Sequence, residues 1–278
     1  MIFTLEFPER DTLVFQYTGN KSPPGHVTDT MCKPDITAAL QPYWKDGVVR
    51  WPFVRFAGEV ASKGKSSEEQ KEQAISCLHY LLLARPDLYV AQGLLSSGKN
   101  VIFPFGIGGE GIFGTRCRME GRRTQQIMLL YVFTYRLYEP GHFADPTYTE
   151  TEFDEETTAR YTIKINHPRG TKNPFATRTH ILSNPNFKFE GNDLTILKDR
   201  YCRVKRRFEE RTILDECVHK SERVPGVVVA AYGERIESPI SNERCKLRLG
   251  VGESGSPFTS IPTLSKVLET LYDVLEGI

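Results

Sequence analysis

The chain has 278 residues and a formal net charge of +1, with charged residues at 26% and hydrophobic residues at 39%. That balance gives no field for nucleic acid or an acidic membrane, and no apolar run approaches the ~18 residues of a membrane span. The length accommodates one large domain or two modest ones with an ample core.

The six cysteines, at 32, 77, 117, 202, 217 and 245, are scattered and form no C-x-x-C pair. Their spacing suits reduced intracellular thiols better than a metal site or a disulfide framework. No basic-then-apolar leader opens the sequence. The expectation is a soluble intracellular protein, cytoplasmic or nuclear, with no nucleic acid and no membrane among its partners.

Residues 13–17 read as an apolar strand closed by Gly19 and Asn20, and 21–30 as a loop rich in Pro, Gly and Ser. Pro34-Asp35 begins a second strand, Trp44 to Gly47 makes a turn, and 48–61 holds one or two buried strands. Ser66-Ser67-Glu68-Glu69 opens a helix with a serine cap and acids in its first turn. Its apolar positions Ala74, Leu78, Leu81 and Leu82 recur at helical spacing until Pro86 stops it.

Residues 88–95 and 101–105 read as strands, whereas 123–137 fits a strand or a helix equally. An acidic tract at 150–158 and a Pro-, Gly- and Lys-rich one at 167–177 place the domain boundary across 146–175. The expected fold class is α+β, with an N-terminal mixed α/β domain over 1–150. A second domain over 175–278 carries an antiparallel sheet and one long helix. Its elements are a strand at 194–198, a helix at 203–219, and strands at 227–232 and 246–249. A Gly- and Ser-rich link follows at 250–260. Residues 262–277 then form an amphipathic helix whose apolar face includes Leu264, Leu268 and Leu271.

The strand at 194–198 ends on Lys198. On a helical wheel from Val204, Glu210 falls inside the apolar arc of Phe208, Ile213, Leu214, Cys217 and Val218. A carboxylate on an apolar face costs free energy unless a cation meets it, and Lys198 is the nearest such cation. A strand lysine paired with a helix glutamate is the arrangement of a protein kinase N-lobe.

Four runs in order carry a family resemblance: Gly141-His-Phe-Ala-Asp145-Pro146-Thr147, Lys198-Asp-Arg-Tyr201, Glu210-Arg-Thr-Ile-Leu214 and Val224-Pro-Gly-Val-Val228. Residues 194–278 resemble the upper lobe of the fungal-type protein kinase family. The resemblance implies transfer of phosphate from ATP to protein serine or threonine, with ATP and magnesium as cofactors. It makes Lys198 and Glu210 the cofactor-binding residues.

The sequence departs from that pattern at three places. The stretch 182–192, where a phosphate-covering loop belongs, has one glycine, Gly191, and no G-x-G-x-x-G. Ile196 shares the strand face of Lys198 and would crowd an adenine. No His-Arg-Asp-type loop or D-F-G-like metal site follows the 262–277 helix. The chain is therefore expected to be inactive alone, with no catalytic or metal residue assigned. The alternative is a pseudokinase-like binding or scaffold module, with a protein partner or second copy docking on the 262–277 helix.

A G-x-G-x-x-G does occur at Gly106, Gly108 and Gly111, but the segment after it is short and glycine-broken. It reads as a hairpin turn. Pro34-Asp35 and Glu59 resemble the PD-(D/E)xK nuclease core, in which two carboxylates share a metal and a lysine two residues on steadies the attacking water. Here that position is Ala61 and Lys63 lies too far along. Gln70 and Gln73 fall on the following helix. Two readings stand for this domain: a degenerate nuclease-like fold without cleavage chemistry, or an unrelated α/β core. The six histidines show no paired spacing, and Arg203, Lys205, Arg206 and Arg207 are answered by Glu209, Glu210 and Asp215.

Overall fold

The computed structural model describes residues 2–5, 11–19, 21–26, 32–61, 67–97, 101–108, 111–115, 117–118, 123–139, 141–145, 178–189, 192–205, 209–220, 228–239, 242–252 and 263. The chain divides into two compact units. One contains the described residues through Asp145, the other those of 178–238 and 242–252. The fold is mixed α+β.

The first unit is built on an eight-stranded mixed sheet. Strands β1 (Ile2–Leu5), β2 (Leu13–Tyr17), β3 (Ile36–Leu40) and β4 (Phe56–Val60) run as an antiparallel meander. Helix α1 (Ser67–Ala84) then crosses over to β5 (Val90–Ser97), which lies parallel to β4. A parallel pair needs such a crossover, because a tight turn can only reverse the chain. Strand β6 (Val101–Gly108) returns antiparallel to β5 and pairs with both β7 (Gly111–Gly114) and β8 (Cys117–Arg118). Gly106 and Gly108 thus lie at the end of β6 and Gly111 opens β7, with Gly108 paired opposite Gly111.

The apolar stripe of α1 explains its seat. Ala74, Leu78, Leu81 and Leu82 are all buried, the three leucines in a core shared with Trp51, Val54, Ala91 and Ile107. Gly93 permits the close approach. A Cβ there would sit 2.6 Å from the Ala57 carbonyl oxygen and 2.7 Å from Leu78 Cδ2. Just past the helix, Arg85 holds Asp87 by a two-point contact (Nε–Oδ1 2.8 Å, Nη2–Oδ2 2.6 Å) and donates from Nη1 to the Val54 carbonyl.

The ambiguous segment at 123–137 is helical, forming α2 (Arg123–Tyr138). Tertiary packing decides it. Phe133 and Leu137 meet Leu13, Ala38 and Phe56 across the sheet, with the Phe56 and Phe133 rings edge-on at 5.8 Å. Arg55 Nη1 donates to the Leu137 carbonyl at 2.7 Å, satisfying an orphan acceptor at the helix end. Burial, with Arg85 nearby as the second cause, pushes the Arg55 guanidinium down to about 10.

The second unit is a four-stranded antiparallel sheet in the order β11-β12-β10-β9. Its strands are β9 (Arg178–Phe189), β10 (Asn192–Arg203), β11 (Ala230–Glu237) and β12 (Arg244–Val251). Between β10 and β11 lies α3 (Glu210–Thr212), which runs on as a π-helical stretch (Ile213–Val218).

Residues 182–189, in the stretch where the family resemblance would place a phosphate-covering loop, belong to β9, paired against β10. Pro185, which has no N–H to give, falls where the β9–β10 register shifts and on an edge strand, where a proline is tolerated. The long helix expected over 203–219 is replaced. Strand pairing continues to Arg203 opposite Arg244, so helix begins only at Glu210. The wider π turns then re-phase the expected arc: Leu214 is buried while Ile213 and Cys217 face outward. The boundary at 146–175 and the helix at 262–277 lie outside the described residues, apart from Thr263.

Candidate functional site

Side chains alternate along β10, so Ile196, Lys198 and Arg200 share one face and Asp199 and Tyr201 the other. Lys198 stands opposite Leu249, and Ile196 packs with Leu214, Leu249 and Val251. Glu210, the first residue of α3, reaches back to the lysine. Lys198 Nζ donates to Glu210 Oε1 at 2.7 Å and Oε2 at 2.6 Å. The sequence-predicted pair is brought together.

Its setting differs from the expected one. The Lys198 and Glu210 side chains are 27% and 44% exposed, so Glu210 is not a buried carboxylate. The reason is the shortened helix: Glu210 sits at its N-terminus, where a negative charge is favoured by the helix dipole and by water, and not on an inward apolar arc. Around the pair, Arg235 bridges Glu209 and Glu237, each at 3.1 Å, and Arg211 holds Asp215 at 3.1 Å and donates to the Gly233 carbonyl. The cavity lined by Lys198, Arg200, Glu210 and Arg235 measures about 90 Å³.

The opposite face of the same strand carries a buried charge cluster that the sequence reading did not single out. Arg248 grips Asp199 through Nε–Oδ1 and Nη2–Oδ2, both 2.8 Å, and Lys246 Nζ lies 3.3 Å from Oδ2. Lys246 also stands over the Tyr201 ring at 5.1 Å, with His180 edge-on to that ring. The alternation Lys246-Leu247-Arg248-Leu249 was the available signal, because it gives the strand two charged residues on one face.

In the first unit, β3 and β4 bring Asp35 and Glu59 to neighbouring strand ends, since Ile36 pairs with Gly58. Asp35 Oδ2 accepts the Val60 N–H at 2.8 Å. Glu59 is buried, accepting from Gln73 Nε2 at 2.7 Å and from the Cys77 thiol at 3.1 Å. The Cys32 Sγ lies 2.7 Å from Cys77 Sγ. The hydrogen bond with Cys32, followed by burial, pushes the Cys77 thiol far up. Ala61, at the nuclease lysine position, donates its N–H to the Ser96 carbonyl at 2.7 Å, and Lys63 lies outside the described residues. A second cavity, about 290 Å³ and lined by Phe105, Phe113, Phe133, Arg136 and Phe143, offers aromatic walls and a single cation among its lining residues, with no carboxylate and no histidine.

Among the described residues no group of three or more His, Cys, Asp or Glu is placed to hold a metal ion, and no helix is long and apolar enough to cross a membrane. No protein family, curated protein or solved structure matches the chain. What fold and site define together is a mixed α+β protein with a strand-lysine, helix-glutamate ion pair on an antiparallel sheet.

Proposed function

We propose that the second unit is a protein kinase N-lobe-like module that holds the phosphates of ATP through Lys198. On this reading the chain acts as a pseudokinase-like binding or scaffold protein. The observation that carries it is the two-point contact of Lys198 with Glu210, a strand lysine met by the helix that follows it. The chain order supports it too: a strand hairpin, then the helix, then a second strand pair in one antiparallel sheet. So does the resemblance of residues 194–278 to the fungal-type protein kinases.

Two features favour binding over phosphate transfer. The stretch in the place of a glycine-rich loop is strand β9. Ile196 fills the face beside Lys198. ATP supplies a transferable phosphoryl group when bound; Lys198 is the residue fitted to its charge, held in place by Glu210. No residue is assigned to magnesium.

The test is a thermal shift with millimolar Mg-ATP on the intact chain, together with radiolabelled phosphate transfer to a generic serine/threonine substrate. Wild type should shift upward, Lys198→Ala should not, and neither should transfer phosphate. The same response in both proteins overturns phosphate binding at Lys198, and lysine-dependent transfer would make the chain an enzyme.

A second reading rests on Asp35 and Glu59 at adjoining strand ends, with α1 crossing to a parallel strand. It gives the first unit a degenerate nuclease-like fold. Ala61 lacks the lysine function, and both carboxylates already accept protein hydrogen bonds. Plasmid DNA with magnesium or manganese should stay intact; nicking lost on Asp35→Ala would restore cleavage chemistry.

A further inference from the structure

The kinase-like reading leaves the cysteines of the first unit unused. Cys32 and Cys77 are separated by 45 positions in sequence, yet their sulfur atoms stand 2.7 Å apart, with no disulfide between them. Cys77 is buried on α1, whereas Cys32, in the segment leading to β3, is partly open to solvent. A disulfide needs sulfurs about 2.0 Å apart, so closing this pair takes a movement of under about 1 Å. The other close pair differs: Cys202 and Cys245 oppose each other on β10 and β12 at 4.0 Å, and both are buried. No oxidant meets that pair first.

We propose that Cys32 and Cys77 form an oxidisable dithiol, converted by a hydroperoxide into an intramolecular disulfide that fastens the segment before β3 to α1 beside Glu59. The exposed partner starts the reaction. The Cys32 thiolate attacks one peroxide oxygen; the O–O bond breaks, hydroxide leaves, and Cys32 becomes a sulfenic acid. Cys77 Sγ then attacks the Cys32 sulfur and the S–O bond breaks. Its thiol proton passes to Glu59 Oε1, the acceptor already 3.1 Å away, and on to the departing hydroxide. With hydrogen peroxide, two thiols and one peroxide give one disulfide and two waters. Each sulfur gives up one electron, and the pair reduces the O–O bond.

The geometry divides the labour. Cys77 is too buried to meet peroxide, so it resolves and does not initiate; Glu59 Oε1, already accepting its thiol hydrogen bond, is placed to receive the proton as the S–S bond forms. The bond would also change the site. Once Cys77 is oxidised it no longer donates to Glu59, whereas the Gln73 amide still does. The disulfide therefore couples oxidation to the one buried carboxylate of the β4–α1 crossover.

The experiment treats the intact chain with graded hydrogen peroxide, blocks remaining thiols with iodoacetamide, and maps tryptic peptides by mass spectrometry without reduction. The Cys32 and Cys77 peptides should appear joined and two hydrogens lighter than their sum, and separate again with dithiothreitol. The melting temperature of the oxidised protein should rise by about 5 °C or more, because the bond closes a long loop. In Cys77→Ser, Cys32 should be trapped as a sulfenic acid by dimedone; in Glu59→Gln, that trapped species should also accumulate while the disulfide slows. Cys32 and Cys77 both alkylated as fully as in the untreated protein would overturn the proposal, as would Cys32 joined to any other cysteine. The wild-type peptide map decides this even if a variant fails to fold.

Discussion

Asp199→Asn is the sharpest perturbation of the second unit. The change keeps the size of the side chain and removes its charge. Asp199 and Lys246 side chains are 0% exposed, as is that of Arg248, and both cations lie within 3.3 Å of the carboxylate. Neutralising Asp199 strands two cations in a dry site. Breaking a buried pair by removing one partner costs about 3–5 kcal/mol. At about 4 °C per kcal/mol, the lower slope for a domain of roughly 100 residues, the unit should melt at least about 12 °C earlier. Urea unfolding followed by circular dichroism gives the free energy from the midpoint if the slope is unchanged. The internal comparison is Lys198→Met on the other face of the strand. Its pair is partly exposed, and such pairs are worth about 0–1 kcal/mol. Adding Lys246→Met to Asp199→Asn should recover part of the loss, because one stranded cation is gone. If Asp199→Asn costs no more than Lys198→Met, the cluster is solvated and the reasoning fails.

Two more predictions concern packing and pH. Gly93→Ala should force α1 away from the sheet, since the new methyl meets the Ala57 carbonyl and Leu78; a loss of about 1–3 kcal/mol in urea unfolding is expected. Burial, and Cys202 beside it, push the Cys245 thiol from 9.0 up to about 11. A raised folded-state pKa gives stability that is complete below about 9 and lost as pH rises through about 11. Denaturation curves of wild type should weaken across that window more steeply than those of Cys245→Ser, and equal slopes would contradict the assignment.

The sequence made some of this legible for physical reasons that can be named. Strand β2 and helix α1 were readable because their apolar spacing is the spacing the core uses: Leu13 and Val14 bury in one, Leu78 and Leu81 in the other. Segment 123–137 was not readable, because Phe133 and Leu137 suit either period and only their contact with Phe56 and Leu13 selects the helix. Lys198 and Glu210 could be paired from their positions relative to the strand and helix. The exposure of Glu210 could not be derived, because a wheel drawn from Val204 assumes a helix that begins only at Glu210 itself. The Cys32–Cys77 contact had no sequence signal at all, since a spacing of 45 positions becomes a contact only when β3, β4 and α1 fold together.

The exposure of the Lys198–Glu210 pair bears on which kind of site it is. A fully buried pair would be difficult to open, because separating it leaves a charge stranded in a low dielectric. Lys198 and Glu210 instead meet where water reaches both, so their attraction is screened and their mutual hold is small. An arriving phosphate carries more charge than the carboxylate and presents several acceptor oxygens. Lys198 can take one of these while keeping a glutamate oxygen, since its ammonium has three donors and now spends them on two oxygens of one group. The buried Asp199 cluster on the reverse face meanwhile fixes β10 against β12. If Lys198 takes phosphate as proposed, one strand separates two electrostatic roles by its period of two: charges locked for structure on one face, and a charge that exchanges partners on the other.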